Sequence, residues 1–356
     1  MIGVIVFGAI LILIFMEIIV YFGTQLEILT VEPDIIKEVF ISQFSNFVAR
    51  KNVAINSVYP LVDGLLAVDH NGTHGAGWKE IRSVISAIFT SGKMKKMHLM
   101  FHDQLENLMD SLSEKSQING GIMDIYGEYQ AMTMDMIARC ALGQEISCIK
   151  DRENEYYRLA RCFVSNVTFN KSTVFRTSLF IPLVAHLRPY SVFGKAEAIL
   201  TKDLSCKIKE REQERKEGKT RPFPDIIDLI LIENEKRTEN GDLPLHHDVI
   251  VSNAWALFLA GYETTSTALA FASYLLAKFL SDVKPSWTPT YMPFGIGPRN
   301  CVGARFAEME FKTVLTEVTR KFITQLDPAH KELKTVHATI IQTPLDNVLY
   351  VRLVKR

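Results

Sequence analysis

Apolar residues fall into long stretches of helical period separated by short polar breaks, while strand-like runs are confined to the two ends of the chain. Residues 1–16 are an almost unbroken run of Ile, Val, Leu, Phe and small side chains. Glu17 interrupts it, and apolar residues resume through Phe22. The run approaches the ~20 residues that cross a bilayer. It has neither a basic start nor a small-residue cleavage site, so it predicts an uncleaved membrane anchor over residues 1–22. Tyr21–Val31 reads as two short strands, and Pro33, well suited to a first helical turn, opens a helix from Asp34 to Ile41. Helical spacing predicts further elements over Trp78–Phe89, Met97–Ser113, Met123–Leu142, His247–Leu280 and Ala304–Thr324. Thr339–Val354 alternates as a closing hairpin or strand pair. Phe163–Phe193 mixes aromatic and apolar residues with Pro182 and Pro189, which suits a core helix pair. Lys207–Arg221 is a mixed-charge run of the kind found on solvated helices and loops. The expected fold is mainly α with small β-sheets.

Composition narrows the class. The chain has 356 residues, 47% of them hydrophobic, enough for a sizeable core in one large domain spanning residues 23–356. Lys and Arg balance Asp and Glu to a net charge of zero, which gives no footprint for nucleic acid. Five scattered cysteines, Cys140, Cys148, Cys162, Cys206 and Cys301, form no CxxC or paired framework and read as reduced and cytosol-facing. The sequons at Asn71, Asn166 and Asn170 then read as chance matches. His98 and His102 have the i, i+4 spacing of a metal pair but lack an evident third ligand. His246-His247 reads as an exposed helix start.

The most informative stretch is Phe294-Gly-Ile-Gly-Pro-Arg-Asn-Cys301-Val-Gly303. Gly295 and Gly297 allow a tight turn and a close approach to a flat ligand, which a Cβ would block. A helix beginning near Gly303 points its positive end at Cys301 and favours a charged sulfur. Arg299 can pair with a carboxylate, and Phe294 can shield the sulfur. Upstream, Ala260-Gly-Tyr-Glu-Thr264-Thr lies within the longest helical pattern. There Gly261 loosens the helix, and a threonine hydroxyl competes for backbone carbonyls, predicting a local bulge. Trp78 and Arg82, one turn apart, can reach a common anionic group.

These three motifs, in this order, resemble the cysteine loop, oxygen-activating helix and Trp-x-x-x-Arg of the cytochromes P-450. Within that family the chain is most similar to the clan holding the vertebrate 3A subfamily and thromboxane synthase, or to nematode family 13. The resemblance carries over through Tyr291-Met-Pro-Phe, Arg305-Phe-Ala, the helix-E-like Asp135–Gly143, and Val31–Arg50, which resembles the early strand and helix B. It implies haem b with its iron on Cys301, held by Trp78, Arg82, Phe294, Gly297, Arg299 and Gly303, with Glu263 and Thr264 supplying protons. It implies a monooxygenase acting on a small, bulky, apolar substrate, at the endoplasmic-reticulum membrane with its catalytic domain facing the cytosol. Electrons would come from NADPH through a cytochrome reductase, because no flavin or nicotinamide motif occurs in the chain. Lys93, Lys95 and Lys96 are a candidate docking cluster for that partner.

The family's Glu-x-x-Arg helix is missing from its expected place. Thr264 and Cys301 are 37 positions apart, and 280–290 contains no such motif. Glu155-x-x-Arg158 and Glu212-x-x-Arg215 precede the oxygen helix and read as accidental. The expectation is a P-450 fold that is incomplete, with a block missing around 280–290 and a trimmed front. Residues 265–280 as helix would travel about 24 Å, and residues 281–300 could return up to about 66 Å. Cys301 can therefore reach a haem, but without the scaffold behind its loop. This leaves a second expectation, a catalytically inactive truncated isoform, pseudogene product or gene-model product with defective haem binding.

Overall fold

The computed structural model describes residues 13–14, 17–22, 25–50, 59–167, 172–178, 180–279, 291–327, 329, 332–337 and 342–356. The block expected to be interrupted, 280–290, and most of the expected anchor lie outside these residues. The described part of the anchor segment is strand. β1 (Leu13–Ile14) pairs with β2 (Glu17–Phe22), and β2 pairs antiparallel with β3 (Gln25–Thr30) in a register that sets Glu17 opposite Thr30 and Phe22 opposite Gln25. The β-branched run Ile18-Ile19-Val20 suits an extended pleat better than a helix. Among the described residues, no helix is long and apolar enough to cross a membrane.

α1 (Pro33–Lys37) starts at its proline as expected and continues as one wider turn over Glu38–Ser42. α2 (Trp78–Ser86) runs on into a tight turn ending at Phe89. The single helix expected over Met97–Ser113 is two, α3 (Ser91–Leu99) and α4 (His102–Ser116). Between them Phe101 is buried with its ring edge-on to Phe306, and satisfying that aromatic contact turns the axis. Likewise Met123 belongs to a strand, β4 (Ile122–Asp124), which leads into α5 (Ile125–Leu142). α6 (Glu155–Asn166), the short α7 (Thr173–Ser178) and a tight helical stretch over Pro182–Tyr190 lead to α8 (Val192–Lys216), followed by α9 (Ile226–Glu239). The charged run is not wholly solvated: Arg211 is buried, paired with Asp225 at 3.0 Å and Asp228 at 3.3 Å where α9 begins.

α10 (His247–Phe279) forms the spine. It is apolar on most faces, as a central helix must be, and it packs most extensively on α5. Gly261 lets the two helices approach, because a Cβ there would come within 2.6 Å of Ile137 Cδ1. Polar bonds cross the same interface, from Thr133 Oγ1 to the Tyr262 carbonyl at 2.8 Å and between Tyr129 Oη and Ser273 Oγ at 2.9 Å. α11 (Ala304–Lys321) follows the cysteine loop. β5 (Phe322–Leu326) and β4 flank β8 (Tyr350–Lys355) in an antiparallel sheet, while β6 (Thr335–His337) and β7 (Gln342–Pro344) form a separate pair. The architecture is mainly helical with small antiparallel sheets, as the sequence predicts.

Candidate functional site

The cysteine loop is a tight turn closed by the Cys301 amide donating to the Phe294 carbonyl at 2.8 Å and the Asn300 amide to that of Gly297 at 3.1 Å. Gly295 and Gly297 adopt φ of +72° and +73°, the left-handed conformation expected of them. Their surroundings differ. A Cβ on Gly297 would sit 1.9 Å from the Phe40 carbonyl oxygen, so this glycine lets the loop press on the turn after α1 and not on a flat ligand. Cys301 is exposed, two residues before the Gly303 cap of α11. Partial desolvation pushes its thiol above the usual range, opposed by the Gly303 amide and the neighbouring Arg82 guanidinium. The helix end therefore tempers the shift without reversing it, contrary to a net favouring of thiolate.

Three cations surround this sulfur's loop. Arg82 donates to the Asn300 carbonyl at 2.7 Å and to Asn300 Oδ1 at 2.8 Å, fastening α2 to the loop. Arg299 does not offer a free fork. Its nitrogens reach the carbonyls of Val48 at 2.6 Å, Leu65 at 3.2 Å and Val68 at 2.7 Å, and its guanidinium stacks 4.9 Å from the ring centre of Trp78. Trp78 is buried beneath it, with Phe44 edge-on at 5.2 Å. Trp78 and Arg82 thus hold different parts of one loop and do not converge on a single point. Arg50, which the sequence reading missed, donates to the Arg299 carbonyl at 3.4 Å. Desolvation, with Arg50 and Arg82 as neighbours, pushes Arg299 down to about 10. Among the described residues, none of these three arginines has an ion-paired carboxylate. Nothing in the local sequence marks Arg50, since only the fold brings it beside a residue 249 positions away.

On α10 the expected proton pair is divided. Thr264 is exposed and its hydroxyl donates back to the Ala260 carbonyl at 2.7 Å. That bond lies within an unbroken helix, so the predicted bulge is absent, and Gly261 is spent on packing against Ile137. Glu263 is buried at 2% exposure in the α5 interface, accepting from Tyr126 Oη and from Gln130 Nε2 at 3.0 Å. Burial raises its pKa, partly offset by those two donors. A second buried acid, Glu310 on α11, lies near Thr265, the residue next to Thr264, which partly offsets the rise that burial gives its pKa. The sequence reading did not single it out.

Elsewhere, Lys93 is not part of a free basic cluster. Its Nζ bonds Glu233 Oε1 and the Ala87 carbonyl, each at 2.8 Å, leaving Lys95 and Lys96 exposed. The break between α3 and α4 removes the helical register of His98 and His102, and His102 lies near Glu106 instead.

The donor set fits a metalloporphyrin. The exposed Cys301 thiol would ligate the metal, and Arg50, Arg82 and Arg299, which now donate to backbone carbonyls, would carry the charge to meet the acid side chains of such a ring. A mainly helical fold around one exposed cysteine with cations beside it is the donor set that a haem-thiolate protein would need. A sequence model of the family described as Cytochrome P450 matches residues 18–281 and 278–350, so the chain belongs to the cytochrome P450 family. It is similar to cytochrome P450 CYP13A7 of Caenorhabditis elegans, with 29% identity over 72% of this chain and 52% of that protein. Cytochrome P450 3A9 of Rattus norvegicus is 27% identical over 72% of this chain and 49% of its own length. The chain spans about half the length of these relatives. Its alignment to CYP13A1 of C. elegans, at 23% identity, covers 84% of this chain and 80% of that protein. It runs over 420 residues, more than the 356 of this chain, so it bridges stretches with no counterpart here.

Proposed function

We propose that this chain is a haem-thiolate monooxygenase that inserts one oxygen atom from O2 into a bulky apolar substrate. The observation that carries this reading is Cys301, exposed before α11 with Arg82 beside it. Cys301 would ligate the iron, while Arg50, Arg82 and Arg299 would neutralise the propionates after exchanging some of their carbonyl partners. A thiolate-ligated haem supplies the activation of dioxygen. The chain's own contribution is positioning and protons. Thr264 Oγ1 holds a proton on the exposed face of α10, with the Ala260 carbonyl fixing its rotamer. Glu263 joins that path only by leaving Tyr126 and Gln130. In its present position it fastens α10 to α5. Electrons would come from NADPH through a reductase, with Lys95 and Lys96 as the remaining docking charges. Exposed Phe180, Ile181, Leu183, Leu187 and Tyr190 support contact with the endoplasmic-reticulum membrane.

A second reading, a chain with defective haem binding, is favoured by the absence of Glu-x-x-Arg between Phe279 and Cys301. Haemin titration of the purified chain separates the two. Stoichiometric uptake that Cys301→Ala removes supports the enzyme, whereas uptake unaffected by that change, or none, supports the second reading.

A further inference from the structure

We infer that His74, His246 and Asp248 form a binding site for a divalent transition-metal ion of the zinc class. His74 lies in the loop before α2, while His246 and Asp248 stand at the start of α10, more than 170 positions along the chain. The three residues each present a ligand atom, and those atoms lie within 4.8 Å of one another. Asp248 Oδ2 is 3.6 Å from His74 Nε2 and 3.6 Å from His246 Nδ1. Tetrahedral zinc with bonds of about 2.0–2.2 Å separates its ligand atoms by about 3.3 Å, so small side-chain rotations close the gap.

The backbone beneath the cluster is already fixed. Asn253 on α10 donates to the Asp63 carbonyl at 3.2 Å and accepts from the Leu65 amide at 2.9 Å, holding the loop against the helix. The Asp63 side chain accepts from the Thr73 amide at 2.9 Å and from the Thr73 hydroxyl, and its Oδ2 lies 3.6 Å from His74 Nε2. Asp63 thereby holds the Thr73-His74 segment in place.

Two adjustments are needed. The imidazoles of His74 and His246 are stacked, 4.0 Å between centres and 8° from parallel, and an ion lies in the plane of each ring it binds. The rings must therefore splay, and both residues are exposed, so little opposes the turn. His246 Nδ1 must also release the Asp248 amide, a 3.2 Å bond at the surface. Two imidazoles with one carboxylate suit zinc, copper or nickel and not calcium or magnesium, which take oxygen ligands. A bound ion would clamp the loop that leads into Trp78 and Arg82 onto the start of α10. None of the three residues serves the function proposed above.

The test is calorimetric titration of the chelator-stripped full chain with ZnCl2, and with MgCl2 for comparison. One zinc per chain is expected, with affinity falling at least tenfold in His74→Ala, His246→Ala and Asp248→Asn, and no comparable magnesium uptake. Melting in chelator should be alike for all variants, because the histidines are exposed and their loss removes little packing. Exposed thiols are the competing ligands, so zinc uptake should survive Cys206→Ser with Cys301→Ser. Uptake that disappears with the thiols, persists in the histidine variants, matches that of magnesium or is absent would overturn the proposal.

Discussion

Arg299 shows how a motif residue can be recognised while its partners stay hidden. Its spacing from Cys301 marks it in the sequence, but the carbonyls of Val48, Leu65 and Val68 that take its donors are more than 230 positions away. The two loop glycines were legible because positive φ is a local demand, whereas the neighbour that forbids a side chain is not. Gly297→Ala should destabilise the protein by about 2 kcal/mol or more, since both the backbone strain and the Phe40 carbonyl oppose it. Gly295→Ala, with nearly the same φ but only an ordinary contact at 3.8 Å with the Asn300 Cα, should cost about 1 kcal/mol. Urea unfolding of the pair checks the ranking. Glu310 gives a pH prediction. Burial pushes its carboxyl up to about 8 from 4.5, opposed by the nearby Thr265. A raised folded-state pKa means the stabilisation is fully present below about pH 4.5 and is lost as pH rises through about 8. Glu310→Gln should therefore match the wild type near pH 4.5 and exceed it above pH 8, on the order of 5 kcal/mol. Unfolding curves at the two pH values would reveal an opposite or flat trend.

At the scale of elements, the long periodic helices were legible and their pairings were not. The reach of α10 was predicted to within a residue, because its apolar pattern is continuous and its ends are marked. The break between α3 and α4 was missed because Phe101 fits helical spacing as well as it fits the aromatic contact with Phe306 that turns the chain. The bulge expected at Gly261 rested on local composition, yet the glycine answers a tertiary demand, closeness to Ile137 on α5. Gly261→Ala should thus cost about 1–2 kcal/mol from overpacking despite its better helix propensity. In an Ile137→Ala background, where Cγ1 and Cδ1 are gone, the same change should be neutral or stabilising. A double-mutant cycle measured by thermal or urea unfolding reads that coupling directly.

For the whole molecule, the two stretches that match the P450 family meet at residues 278–281, beside the place where the sequence lacks Glu-x-x-Arg. The fold class and family were legible because the three motifs are local and lie in order. The state of the site was not, because it depends on how Cys301, the arginines and α10 are brought together. Inserting the Glu-x-x-Arg-containing block of a relative between Phe279 and Tyr291 should raise haem retention and thermal stability together. Unchanged retention would mean that the shorter connection already suffices. The most direct test of the account is the reduced carbon-monoxide difference spectrum of the haem-reconstituted chain. It should show the red-shifted Soret band of thiolate ligation, lost in Cys301→Ala. A band of neutral-ligand character, or a red-shifted band that survives in Cys301→Ala, would contradict the proposal that Cys301 ligates the iron.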